Sequence, residues 1–95
     1  MVQRREPRTP FRAEISYVAE GPFSANENGI AVTNDRSRHG LGLYVEQGFP
    51  IGQRMKVFSP QIADEPILAQ VRWCSEVSHC LFRIGLMLFE PVGFN

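Results

Sequence analysis

Arginine carries most of the chemistry legible in this chain. Of ten basic residues, nine are Arg and one is Lys. The guanidinium is a planar fork of donors that suits phosphates and paired acceptors, and its face stacks on rings. Arg4, Arg5, Arg8 and Arg12 crowd the first 12 residues against Glu6 alone, a local charge of +3 that leaves −3 for the remainder. A second polar segment, Asp35-Arg36-Ser37-Arg38-His39-Gly40, follows an apolar run about 30 residues after the first. Asp35 is an acceptor able to take paired N–H donors or to hold an Arg in place. Ser37 offers a hydroxyl and turn-forming geometry. Gly40 permits positive φ and the close approach of a ligand to the backbone.

The remaining titratable residues exclude several chemistries. Neither His39 nor His79 has a nucleophile, acid partner or metal set beside it, so nothing points to an enzyme. Cys74, His79 and Cys80 lack the paired short spacings of a zinc site, and no metal or other cofactor is implied. Two cysteines in a core-bearing cytosolic domain are usually reduced thiols, although Cys74 and Cys80 could face each other across a hairpin. The formal net charge is zero, which argues against a nucleic-acid polymer as partner. The first 20 residues lack the apolar region of a secretory signal. The longest apolar stretch, about residues 84–89, is far too short to span a bilayer as a helix. A cytoplasmic protein without membrane insertion is expected.

The elements that must position these residues are strands. At 95 residues, 43% of them hydrophobic, one domain with a modest core is expected over 1–95. Residues 1–10 read as an extended, flexible arm, since Pro7 and Pro10 disfavour helix. From Phe11 the pattern has period two: Phe11, Ala13, Ile15 and Tyr17 on one face, Arg12, Glu14 and Ser16 on the other. Residues 19–28 are loop-like in composition. Residues 29–34 and 41–46 read as a hairpin with 35–40 at its turn. A turn at 47–52 leads to a strand over 53–59, with Met55 and Val57 on one face. After a loop at 60–66, Ile67, Ala69, Val71 and Trp73 share a face. A turn at 75–79 precedes the last strand, 81–90, and 91–95 is a short tail. Six or so strands punctuated by turns, with no sustained helical period, predict an all-β antiparallel barrel over 11–90.

Arg4 and Arg8 fit Arg-x-x-x-Arg; Asp35, Ser37 and Gly40 fit Asp/Asn-x-Ser-x-x-Gly. Each pattern alone is common. The ordered pair, with a strand beginning after the first and strands flanking the second, resembles the signature of the PilZ domain, a bacterial receptor for cyclic di-GMP. Val71-Arg72-Trp73 and Phe82 to Phe89 look like the last two strands of that six-stranded barrel. The resemblance implies a non-catalytic receptor or adaptor in which Arg4, Arg5, Arg8, Asp35, Ser37 and Gly40 line the ligand site. Arg38 falls at a variable position of the motif and is a further ligand-binding candidate, able to touch phosphate or only water. Trp73 is another ligand-binding candidate that could stack on a base, with a core or barrel-rim position as the alternative. An arm that is mobile alone and folds across the barrel with ligand would relay the signal to an effector protein, with motility or biofilm regulation as family-level outputs. The rival reading is a ligand-independent interaction barrel that docks partners through loops such as Phe49-Pro50.

Overall fold

The structure, a computed structural model, describes residues 7–20 and 27–90. The described residues form seven strands: β1 (Thr9–Pro10), β2 (Glu14–Ala19), β3 (Glu27–Arg36), β4 (Gly40–Val45), β5 (Arg54–Phe58), β6 (Ile67–Ser78) and β7 (Leu81–Leu88). The described residues contain no helix. All pairings are antiparallel. The hydrogen-bonded order β3-β2-β5-β6-β7-β4 returns from β4 to β3 and closes a six-stranded barrel, with β1 outside that circuit. Closure removes the open edges that a flat sheet of these short strands would expose.

The period-two reading translates into burial. Ala13, Ile15 and Tyr17 point inward from the first arm of the barrel, Met55 and Val57 from β5, and Leu41, Leu43 and Val45 from β4. Each Val, Leu, Ile or Met side chain buried in this way contributes about 1.5–3 kcal/mol relative to exposure. Phe49, from the connection between β4 and β5, packs its ring edge-on to Tyr17 with centroids 5.7 Å apart. It is 8% exposed. Phe49 therefore plugs the barrel instead of presenting itself on a docking loop, which removes the aromatic anchor that the rival reading took as its example.

Several strand limits and one side-chain facing differ from the sequence expectation, each for a pairing reason: β3 begins at Glu27, inside the residues read as loop, because Val18↔Asn28 and Ala19↔Glu27 extend its ladder with β2. β3 runs to Arg36, so Asp35 lies in a strand and not in a turn. β6 runs to Ser78, because the Ser78↔Leu81 pair leaves only His79 and Cys80 as the turn. Trp73 does not share the inward face of Ile67, Ala69 and Val71: the register shifts between Val71 and Trp73, a bulge at Arg72 that turns the indole outward. The two cysteines are both free. Cys74 faces Ile84, so they do not meet across the hairpin.

The described part of the arm is attached to the barrel. Thr9 and Pro10 pair with Arg36 and Asp35 of β3. Those same residues pair with Leu41 and Gly42 of β4, so β1 takes the other edge of β3, the edge that β2 follows further along. Between Pro10↔Asp35 and Glu14↔Val32 the arm has one residue more than β3. Thr33, buried opposite this irregularity, fills the gap. Its hydroxyl accepts from Ala13 N at 2.8 Å and donates to Phe11 O at 2.6 Å. Phe11 N donates to Asn34 O at 3.2 Å. The chain thereby leaves the barrel at a fixed angle, with Arg8 over the β3–β4 turn.

Candidate ligand site

The register defines a row across four strands. Asp35 pairs with Gly42, Gly42 with Gly85, and Gly85 with Trp73. The two central positions have no side chain, so the outer sheet surface is cut down to its backbone between an acidic and an aromatic wall. Both walls lean into the gap. A Cβ on Gly42 would lie 2.6 Å from Asp35 Oδ1, and one on Gly85 would collide with the Trp73 indole. The result is an open concavity of about 720 Å³ whose lining includes Arg8, Asp35, Ser37, Gly40, Trp73 and Arg83.

Arg8 joins the two motifs. Its Nη2 donates to Asp35 Oδ1 at 2.8 Å, across 27 positions of sequence. Its Nη1 passes Gly40 so closely that a Cβ there would sit 3.2 Å away, with Ser37 Oγ at 2.9 Å. Close approach is what Gly40 supplies. Positive φ is not: among the described glycines only Gly52 has it. Ser37 is 2% exposed, and its amide donates to Gly40 O at 3.0 Å. It holds the turn more than it offers a free hydroxyl.

Arg83 is one member of the candidate site that the motifs do not contain. Its neighbour Ile84 faces the core, so strand alternation puts the guanidinium on the outer face. There it lies 5.6 Å from the Trp73 ring centre and 5.9 Å from that of Tyr44. One Nη is 3.9 Å from Asp35 Oδ2. With its amide oriented to satisfy both neighbours, Asn34 accepts from Arg83 Nη2 at 2.9 Å and donates to Gly42 O at 3.1 Å. Arg83 Nε is buried and has no hydrogen-bond partner among the described residues. Arg72, set outward by its bulge, and His39 also line the concavity. The sequence expectation did not place Arg72, Arg83, His39 or Gly42 at the ligand site. An Arg or Gly at an outward strand position beside the last strand's glycine was the available signal.

Of the sequence candidates, Arg8, Asp35, Ser37, Gly40 and Trp73 come together here. Arg38 is exposed and is not part of the lining. Arg4 and Arg5 lie outside the described residues. Three guanidinium groups, of Arg8, Arg72 and Arg83, line the concavity with a single carboxylate, that of Asp35. The lining is therefore cationic in a chain whose formal net charge is zero. Among the described residues no group of three or more His, Cys, Asp or Glu could hold a metal ion.

A two-motif site on the rim of a six-stranded barrel can be compared with known proteins. The profile of the PilZ domain family matches residues 2–92. The chain belongs to the PilZ domain family. PilZ domains are in general receptors or adaptors for cyclic di-GMP, and no enzymatic family is indicated. Among solved structures, the Bacillus subtilis inhibitor of motility MotI/DgrA is similar, with a TM-score of 0.63 and 16% sequence identity. The alignment covers 96% of this chain and 44% of that one. The present chain thus spans less than half of that protein, and the likeness speaks to the PilZ fold alone. No curated protein matches the chain. Among the described residues no helix is long and apolar enough to cross a membrane.

Proposed function

We propose that this PilZ domain binds cyclic di-GMP in the concavity between Arg8–Asp35 and Trp73, acting as a cytoplasmic, non-catalytic receptor that relays the signal to an effector protein. Residues 1–95 then work as one domain: arm, barrel and short tail. The observation that carries the proposal is the Arg8–Asp35 bridge, which brings the two motifs onto one cationic concavity floored by glycine.

The chemistry matches group by group. Guanine presents O6 and N7 as paired acceptors, which an Arg fork reads, and its ring face accepts a guanidinium or an indole. Phosphates take charge-assisted hydrogen bonds from Arg. Arg8, with its side chain 47% exposed, can exchange its Asp35 contact for a ligand contact. Asp35 is then free to accept guanine N–H donors. Arg83 Nε is a donor in search of an acceptor. Arg4 and Arg5 supply the remaining arm contacts, and Ser37 and Gly40 hold the turn that the ligand approaches.

The test is calorimetric titration of the purified domain with cyclic di-GMP, beside Arg8→Ala. Saturable binding that the variant loses supports the proposal and gives the stoichiometry. A flat titration with folded wild-type protein would refute it.

A further inference from the structure

The barrel is closed, but one strand outgrows it. β5 pairs with β6 only from Ile67 to Gln70. The last contacts on that side are Gly52 N to Val71 O and Val71 N to Gln53 O. β6 continues to Ser78 with β7 alone on its other edge. The orientation of its backbone groups follows from the ladder. Leu88 N donates to His39 O on the β4 side, so alternation directs Gly85 and Arg83 toward β6. Their partners, Trp73 and Ser75, point back at β7. The amides and carbonyls of Cys74 and Glu76 therefore face outward, with no strand beside them among the described residues. Flanking them, Trp73 is 42% and Val77 52% exposed.

We propose that this edge is an interface for a second copy of the chain, pairing β6 with β6 antiparallel about a twofold axis at Ser75. The edge is complementary to itself in that register. Cys74 and Glu76 form hydrogen-bonded pairs with the partner's Glu76 and Cys74, making four backbone hydrogen bonds by symmetry. Trp73 falls opposite the partner's Val77, an aromatic–aliphatic pair of the kind that stabilises sheets. The Arg72 end of each strand meets the Glu76 end of the other, so opposite charges are juxtaposed. A parallel arrangement would bring like charges together. The interface also reaches the ligand concavity, because Trp73 forms its wall and the partner's Val77 would close that wall from outside. This inference uses the free edge and does not depend on which ligand the concavity holds.

Two measurements test it. Ser75→Cys, in a Cys74→Ala/Cys80→Ser background, places thiols opposite each other at a non-hydrogen-bonded pair, where side chains approach most closely. Mild oxidation should give a covalent dimer on non-reducing gels. Ser16→Cys in the same background, on the outer face of β2, should not. In sedimentation velocity, the wild-type chain should show a concentration-dependent mass approaching two chains. Val77→Lys, a charge of the kind that guards natural edges, should weaken association by about tenfold while the circular dichroism spectrum stays unchanged. A wild-type chain that remains monomeric up to millimolar concentration would overturn the proposal. So would cross-linking of Ser16→Cys as efficient as that of Ser75→Cys.

Discussion

Asp35 stands where three constraints meet: it pairs with Pro10 and Gly42 in the sheet, bridges Arg8, and lies within reach of Arg83. The bridge itself stabilises little. Arg8 is half exposed, and exposed ion pairs are worth about 0–1 kcal/mol. Asp35→Ala should therefore leave the denaturation midpoint nearly unchanged. Loss of one charge-assisted hydrogen bond to ligand, about 1.5–3 kcal/mol, corresponds to roughly ten- to hundredfold in affinity. Parallel urea melts and cyclic di-GMP titrations separate the two effects. Unchanged affinity would remove Asp35 from the site.

Gly85 makes the opposite kind of contribution, through what it lacks. Any Cβ there collides with the indole of Trp73, which is partly exposed and free to swing away. Gly85→Ala should displace Trp73 outward, shifting its fluorescence to longer wavelength and weakening ligand binding, with the barrel still folded. As Trp73 is the only tryptophan, the emission spectrum reports on this site alone. An emission maximum identical to wild type would show that the indole does not rest on Gly85.

Among the elements, the junction between β1 and β2 decides where the arm goes. Thr33 bridges Phe11 O and Ala13 N across the extra residue. Thr33→Val keeps the shape and removes both hydrogen bonds, leaving buried backbone groups unpaired at a cost of about 1–3 kcal/mol. The same variant should speed amide exchange at Thr9 and Phe11 and lower ligand affinity, since Arg8 loses its anchorage. The β6–β7 turn holds a second local conflict. Cys80 has φ of 60°, a left-handed conformation that costs an L-residue about 1–2 kcal/mol. Cys80→Gly should raise stability by about 1 kcal/mol, read as a higher midpoint in thermal or urea unfolding. A lower midpoint would mean that the exposed thiol makes a contact of its own.

For the molecule as a whole, the strands were legible because alternation is a local signal. Ala13-x-Ile15-x-Tyr17 and Met55-x-Val57 follow the period on both the page and the barrel wall. The candidate site was legible in half. The motifs pointed to Arg8, Asp35, Ser37 and Gly40, whereas Arg72, Arg83 and Gly42 had no motif to mark them. The missing half depends on register, which a partner strand sets. The bulge at Arg72 turns Trp73 from a core position into a wall of the concavity, and nothing within residues 67–73 announces it. Likewise, Gly42 and Gly85 are unexceptional 43 positions apart and become one floor only when β4 pairs with β7.

The central claim is that the two motifs, tied by Arg8 and Asp35, form one cyclic di-GMP site with the row Gly42–Gly85–Trp73. The most direct test is an amide-resolved NMR titration of the isotope-labelled domain with cyclic di-GMP. The largest shifts should fall at Arg8, Asp35 to Gly42, the Trp73 indole N–H and Gly85. The opposite outer face, around Ile30 and Phe58, should stay still. Absence of shifts at saturating ligand, or shifts centred on Ile30 and Phe58, would contradict the account.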